Sequence, residues 1–128
     1  MKAKPVKLIN QQWVQVPVEE ATHVELLFPL DISVMVDYID PPYTYYPLSK
    51  RIIPIQLSGS RSETSNWSWN GDTERPTLKP SILTEVNYGG TVYRCHSFVN
   101  DGVVQFLQDC SHELAGQTVE LLEVTEDL

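Results

Sequence analysis

Short runs of alternating apolar and polar residues recur along the chain, and they predict β-strands. In residues 32–39, Ile32, Val34, Val36 and Tyr38 occupy alternate positions and would share one face of a strand. Similar runs, bounded by Gly, Pro, Asn or Asp, predict further strands at 6–9, 13–17, 22–28, 51–57, 81–86, 91–99, 103–108 and 118–124. No window of ten residues or more has the periodicity of an amphipathic helix.

This pattern predicts an all-β fold, either an antiparallel sandwich or an open barrel of about eight short strands. At most one short helical turn is expected, near residues 111–116, with Ser111 as its cap and Gly116 at its end. The length of 128 residues fits a single domain. It would comprise strands in 1–57, a polar flexible loop at 58–66 and a second β portion at 67–124.

The clearest turn signal is the pair Asp101-Gly102, which is typical of a two-residue hairpin loop. With this pair in the loop, Val99 faces Val104 and Ser97 faces Phe106. The register then fixes which side chains of the hairpin share a face, because side chains alternate along a strand.

Both cysteines of the chain and two of its three histidines lie in residues 95–112. In the predicted hairpin Cys95 and Cys110 are diagonal neighbours on one face, roughly 7–8 Å apart at Cα, at or beyond the usual limit for a disulfide. An extended chain would add His112 to that face. Two thiolates and an imidazole suit zinc, so Cys95, Cys110 and His112 are candidate zinc ligands. Buried unliganded thiols and a disulfide are the alternatives.

His96 points to the opposite face of this hairpin, where its diagonal neighbour is Asp109. A carboxylate that holds one imidazole nitrogen leaves the other nitrogen oriented as a base or a ligand. His96 and Asp109, together with Glu74, are therefore candidate acid–base residues. A purely structural hydrogen bond between His96 and Asp109 is the alternative.

Trp67 and Trp69 flank Ser68 and precede a stretch rich in short polar side chains, which includes Asn70 and Asp72. Two indoles beside such groups predict a stacking pocket for a base or a sugar ring. The alternative is that the indoles belong to the core and that the polar residues form turns.

The chain is acidic, with a formal charge of −8 and a pI of about 4.7. This charge argues against direct binding to nucleic acid, which requires a basic face. The sequence has neither the apolar run of a signal peptide nor a stretch long enough to span a membrane. A cytoplasmic protein is therefore expected, and free thiols or metal thiolates are favoured over a disulfide in that compartment.

Two segments carry a resemblance to a known family: WSWNGDTERPTLKPSILT (67–84) and CHSFVNDGVVQFLQDCSHELAGQTVEL (95–121). They resemble a family of small, uncharacterised phage and prophage proteins, a domain of unknown function sometimes labelled ammonia monooxygenase. The positions that match the family pattern are Trp67, Asn70, Gly71, Glu74, Pro76, Pro80, Ser81, Cys95, His96, Asp101, Gly102, Asp109, Cys110, His112, Gly116 and Gln117. Many members of the family also carry a Cys-x-x-Cys knuckle that would complete a zinc site, whereas this chain has no cysteine before Cys95.

The resemblance implies a phage or mobile-element origin. Together with the acidity and the aromatic loop, it favours a small accessory protein that binds a host protein or a small nucleotide-like ligand, including a role in counter-defence. The alternative is a small zinc-dependent hydrolase or transferase centred on residues 95–112. A virion component is a third alternative.

Overall fold

The structure, a computed structural model, describes residues 1–30, 50–57, 66–88 and 91–126. Within these ranges nearly all regular structure is β-strand, and the one helical element is the 3₁₀ turn Val18–Glu20. The strands are β1 (Lys4–Ile9), β2 (Gln12–Gln15), β3 (His23–Leu27), β4 (Lys50–Leu57), β5 (Trp67–Trp69), β6 (Leu78–Tyr88), β7 (Thr91–Asn100), β8 (Val103–Phe106) and β9 (Thr118–Glu120).

These nine strands form one open sheet in the order β2-β1-β3-β4-β5-β6-β7-β8-β9. Every described pair is antiparallel except β4 with β5, so the sheet is mixed where a purely antiparallel one was predicted. A bridge between Leu27 and Leu122 brings the chain beyond β9 against β3. The sheet therefore curls over a core without closing into a barrel, and the prediction of an all-β fold is confirmed.

Three elements predicted from the sequence either differ from the structure or fall outside the described residues. The expected helical turn near 111–116 is a pair of reverse turns, in which Ala115 N–H donates to His112 O and Gln117 N–H donates to Leu114 O. The predicted strand at 32–39 and nearly all of the predicted loop at 58–66 lie outside the described residues.

Two hairpin loops fix the register of the strands on either side of them. Asn10 and Gln11 join β1 to β2 with φ of 49° and 65°, and Asp101 and Gly102 join β7 to β8 with φ of 52° and 82°. Positive φ at both positions is the geometry of a two-residue loop that matches the twist of the strands. The predicted β7–β8 register is confirmed as far as Ser97, which lies opposite Phe106.

The core fills the space between the curled halves of the sheet. Phe28, just after β3, packs edge-on against Phe106 of β8 with ring centroids 5.8 Å apart. Buried residues from β3, β4, β6, β7 and β8 surround this pair: Val24, Leu26, Ile53, Ile55, Leu78, Ile82, Cys95, Val99 and Val104. Because the inward side of β6 and β7 is committed to this core, their other side is the surface on which polar chemistry can be presented.

Candidate functional site

An irregularity in the pairing of β6 with β7 lies next to the site. The pairing of β6 with β7 shifts register between Leu78 and Ile82, so residues 79–81 of β6 stand against the single residue Phe98 of β7. Such a bulge re-aims side chains, and bulges are frequent beside active sites. Ser81 is the last residue of this irregular stretch.

β7 presents its two sets of side chains to opposite sides of the sheet. The inward set is buried and consists of Cys95, Ser97 and Val99, whereas the outward set is Arg94, His96, Phe98 and Asn100. Leu83 of β6 lies directly opposite His96, and Ser81 is two residues from Leu83 along β6. Strand alternation thus places Ser81 on the outward face, the same face as His96.

Three side chains form a continuous hydrogen-bonded relay on this face. Ser81 Oγ lies 3.0 Å from His96 Nε2, and His96 Nδ1 lies 3.1 Å from Asp109 Oδ2. When the imidazole is neutral and protonated at Nδ1, it donates to the carboxylate and leaves Nε2 to accept the hydroxyl proton of Ser81. The side chain of His96 is 24% exposed and that of Asp109 is 43% exposed, so the relay is accessible from solvent.

A turn after β8 holds Asp109 in this position. Leu107 N–H donates to His96 O at 2.9 Å, and Cys110 N–H then donates to Leu107 O at 3.2 Å. The chain therefore leaves the β-ladder after Phe106 and curves around His96. The prediction of an extended chain through residue 110 is wrong, but the predicted contact between His96 and Asp109 is present, because the turn keeps Asp109 on the outward face.

Arg94 adds a positive charge beside the relay. Its Nη1 lies 3.9 Å from Asp109 Oδ2, and its Nε donates to Glu85 Oε2 at 3.3 Å. The hydrogen bond to Glu85, with the charges of Glu85 and Asp109, raises the pKa of Arg94 above its usual range. A permanent cation therefore lies next to the carboxylate that faces His96.

Two side chains after the turn replace the missing strand partner of β7. Cys110 Sγ accepts the backbone N–H of His96 at 3.2 Å and donates to the carbonyl of the same residue at 3.1 Å. In the same manner Ser111 Oγ accepts the backbone N–H of Arg94 at 2.8 Å. The thiol of Cys110 thus fixes the backbone from which the imidazole of His96 projects.

The two tryptophans that were predicted to bind a ligand lie in two different environments. Trp67 Nε1 donates to the carbonyl of Ser81 at 3.2 Å, so this indole anchors the backbone of the bulge. Trp69 is 0% exposed in the core, and its Nε1 donates to Asp72 O at 3.3 Å. The structure therefore does not form a pocket between two accessible indoles at this position.

Asn70 and Asp72, also predicted to bind a ligand, organise the loop between β5 and β6. Asn70 Oδ1 accepts the N–H groups of Asp72 and Thr77, and Asp72 Oδ1 accepts those of Glu74 and Arg75. The hydrogen bonds from the backbone N–H groups of Arg75 and Glu74 lower the pKa of Asp72, and the bond from Arg75 has the larger effect. A ligand-binding role for Asn70 or Asp72 stays a prediction.

Glu74, the third predicted acid–base residue, lies in this exposed loop. Its carboxylate is 3.7 Å from the amino group of Met1 and makes no ion pair with His96. The structure therefore brings together two of the three predicted acid–base residues, His96 and Asp109, and places Glu74 in a different contact.

The candidate zinc ligands are Cys95, Cys110 and His112. Both thiols are free and buried, and burial together with the neighbouring Cys110 raises the pKa of Cys95 to about 12. His112 Nδ1 accepts the N–H of Leu114, and burial lowers the pKa of the imidazole. Over the described ranges no three His, Cys, Asp or Glu side chains are grouped to hold a metal ion, and the zinc site stays a prediction.

Ser81 is the member of the relay that the sequence reasoning did not single out as reactive, although it stands in the motif KPSILT. The signal that identifies it is the register of the hairpin formed by β6 and β7. Tyr88 lies opposite Thr91, so counting back along β6 reaches Leu83 opposite His96 and then Ser81 on the same face.

Comparison with known families gives one match. The family model of BubE, described as a bacterial ubiquitination-like system serine protease, matches residues 49–107, a little under half of the chain. Ser81 and His96 lie inside the matched segment, and Asp109 lies two residues beyond it. No curated protein and no solved structure matches the chain. The match concerns a bacterial family and does not test the phage origin that the motifs imply.

For membrane-spanning segments, the structure gives information on helices. Of the residues that the structure describes, none belongs to a helix long and apolar enough to cross a bilayer.

Proposed function

We propose that this chain is a serine hydrolase that cleaves peptide bonds, with Ser81 as the nucleophile, His96 as the general base and Asp109 as the carboxylate that orients His96. The observation that carries the proposal is the relay itself. Its two hydrogen bonds, 3.0 Å from Ser81 Oγ to His96 Nε2 and 3.1 Å from His96 Nδ1 to Asp109 Oδ2, have the lengths that proton transfer requires. Serine–histidine–aspartate sites recur on unrelated folds and are recognised by this geometry, whatever their order along the chain.

Each group has a defined step in this chemistry. Ser81 Oγ attacks the carbonyl carbon of the substrate while its proton moves to His96 Nε2. The imidazolium that forms is stabilised by Asp109, and it returns the proton to the leaving amine. Water, activated by the same imidazole, then releases the acyl group from Ser81. Asp109 holds His96 in the tautomer in which Nε2 is free to accept a proton.

The choice of a peptide bond as the substrate rests on the family match. The matched family is described as a serine protease of a bacterial ubiquitination-like system, and the matched residues include the nucleophile and the base. The relay supplies the independent chemical support, because a serine protease needs a serine hydroxyl beside an oriented imidazole. We infer a role in such a bacterial system and, from the sequence, a cytoplasmic location.

The hypotheses from the sequence lead to different expectations. An accessory protein that acts only by binding a host protein or a nucleotide-like ligand needs no serine hydroxyl hydrogen-bonded to His96, and the relay does not support it. A zinc-dependent hydrolase would use Cys95, Cys110 and His112. Both thiols are buried, Cys95 on the inward face of β7 and Cys110 in the turn after β8. Both alternatives predict that the hydroxyl of Ser81 is dispensable.

The proposal is tested with a pool of unstructured peptides and the full chain. New peptide termini, counted by mass spectrometry, are expected with the wild-type protein and with His23→Gln, whose histidine lies on β3. With Ser81→Ala the rate of cleavage is expected to fall by about a thousandfold or more, since removal of any member of such a site leaves only residual catalysis. Equal cleavage by wild type and Ser81→Ala, or none by either, would contradict the proposal.

A further inference from the structure

A recess opens on the outward face of the sheet, next to the stretches of β6 and β7 that carry Ser81 and His96. It is lined by residues 77–79 at the start of β6, residues 98–100 of β7 and Gln105 of β8, and its volume is about 350 Å³. The recess lies at the irregularity in the pairing of β6 with β7 between Leu78 and Ile82, and its lining on β6 ends two residues before Ser81. The recess is therefore two residues from Ser81 along β6 and two residues from His96 along β7.

Phe98 forms the apolar wall of the recess and lies close to the relay. It is two residues from His96 on the outward face of β7, a separation of about 7 Å along an extended strand. Its side chain is 43% exposed, although a phenyl ring is normally covered in a folded protein. An exposed aromatic ring this close to a nucleophile is available to contact what the nucleophile attacks.

A second exposed apolar side chain lies next to His96, on the neighbouring strand β6. Leu83, directly across from His96 in the sheet, is 48% exposed. Two exposed apolar side chains therefore neighbour His96, and Lys79 and Gln105 are among the polar residues that line the recess. This is the surface that an extended segment with apolar side chains would cover, with its backbone crossing Ser81.

We propose that the recess is the subsite for a large apolar side chain, preferably aromatic, on the residue next to the scissile bond of an extended peptide. The proposal rests on the proposed function and adds the substrate class to it. Phe98 is the residue that determines this specificity, through an aromatic contact with the substrate side chain.

Two sulfonyl fluorides that differ only in the group to be recognised test the subsite. Phenylmethanesulfonyl fluoride carries a benzyl group, and methanesulfonyl fluoride carries a methyl group. In both, Ser81 Oγ attacks sulfur, the S–F bond breaks, fluoride leaves with the electron pair and the hydroxyl proton passes to His96. The rate of modification is followed by intact mass, and the modified residue is located by peptide mapping.

The preference is measured as the ratio of the benzyl rate to the methyl rate, so that intrinsic reactivity cancels between variants. Phe98→Ala is expected to lower this ratio by about threefold to tenfold, the range for loss of one aromatic contact. The matched control is Val92→Ala, which also removes an exposed apolar side chain from the outward face of β7, six residues from Phe98. The ratio is expected to stay at the wild-type value in that control.

The outcomes separate the two proposals. If both reagents modify Ser81 and Phe98→Ala leaves the ratio unchanged, the subsite is wrong and the serine hydrolase remains. If neither reagent modifies Ser81 in the folded wild-type protein, the proposed function fails and the subsite fails with it. A fall in the ratio in Val92→Ala as large as in Phe98→Ala would also overturn the assignment to Phe98.

Discussion

The two faces of β7 differ in chemistry although they alternate residue by residue along one strand. On the inward face Cys95 is buried, and its pKa is raised to about 12, so its thiol is protonated and inert at neutral pH. On the outward face His96 is held at both ring nitrogens, by Ser81 and by Asp109. The more nucleophilic residue type is thus on the unreactive face.

The difference shows that neighbours decide reactivity more than residue type does. A thiol becomes a nucleophile or a metal ligand only as a thiolate, and burial opposes that charge. A serine hydroxyl is a weak nucleophile until a base accepts its proton, and His96 Nε2 is 3.0 Å from Ser81 Oγ. Substitutions on the inward face should therefore change stability, and those on the outward face should change turnover.

The largest expected effect in this comparison comes from Asp109→Asn. The amide keeps the shape of the side chain but can hold His96 in the wrong tautomer, and it does not stabilise the imidazolium. Because Asp109 is 43% exposed, we expect kcat/KM to fall by about 10²-fold to 10³-fold, less than the roughly 10⁴-fold typical of a buried aspartate. The rate of peptide cleavage and thermal unfolding are measured on the same samples, and Tm should change little.

The control for this substitution is Asp101→Asn, an exposed aspartate in the loop at the other end of the hairpin. It should leave kcat/KM unchanged. Comparable losses of activity in Asp109→Asn and Asp101→Asn would show that Asp109 has no special relation to His96.

A smaller effect is expected for Cys110→Ala. The buried thiol of Cys110 supports the backbone of His96, whose side chain lies on the outward face. This change removes the thiol that bonds both the N–H and the carbonyl of His96, so stability should fall by about 1–3 kcal/mol. Activity should fall by about tenfold or less, because His96 loses part of its support. Denaturant unfolding and kcat/KM measure the two effects, and Cys110→Ser should restore much of both.

Cys95→Ala is the matched comparison for that prediction. Both cysteines are buried in the core, but only Cys110 is bonded to the backbone of His96. Cys95→Ala should therefore cost stability and leave kcat/KM per folded molecule unchanged. Equal losses of activity in both variants would remove the positioning role of Cys110.

The last effect concerns the pH dependence of stability on the inward face, and it leaves turnover unchanged. In the unfolded chain Cys95 ionises near its usual pKa of about 9, whereas in the folded protein it stays protonated up to about 12. Between these values the folded state binds more protons, so the contribution of Cys95 to stability is lost as the pH rises, by about 1.4 kcal/mol per pH unit. The loss should be absent in Cys95→Ala, and unfolding curves from pH 8 to 11 measure it.

The same samples test the predicted zinc site. Thiolates that bind zinc are already deprotonated in the folded protein, so they would give the opposite pH dependence and a stability that a chelator reduces. About one zinc per chain by mass spectrometry, with such a response to chelator, would contradict the assignment of the inward face to packing.

Much of the site follows from one turn signal. The pair Asp101-Gly102 correctly predicts that Val99 lies opposite Val104 and that Ser97 lies opposite Phe106. Alternation from this register puts His96 on the outward face, where its contact with Asp109 was expected. Local turn chemistry and strand periodicity are sufficient for these results because they depend on residues close together in the chain.

The remainder depends on contacts that no local pattern carries. Residues 107–110 leave the ladder in a turn that is stabilised by the backbone of His96, so a prediction of continued extension through Cys110 fails. The pairing of β6 with β7 is interrupted just before Ser81, and the role of Trp67 depends on the carbonyl of Ser81 being within reach of its indole. Bulges and side-chain bonds between distant segments are set by tertiary packing.

The most direct test of the central claim is to locate the residue that an active-site-directed fluorophosphonate modifies. The reagent is applied to folded wild-type protein, to His96→Gln and to wild type unfolded in denaturant, and the adduct is mapped by mass spectrometry. A relay on the outward face predicts one adduct, on Ser81, in the folded wild-type protein. No adduct should form in the unfolded protein, and in His96→Gln the adduct should form at least about a hundredfold more slowly. No adduct on Ser81, or one that forms equally fast without His96, would contradict it.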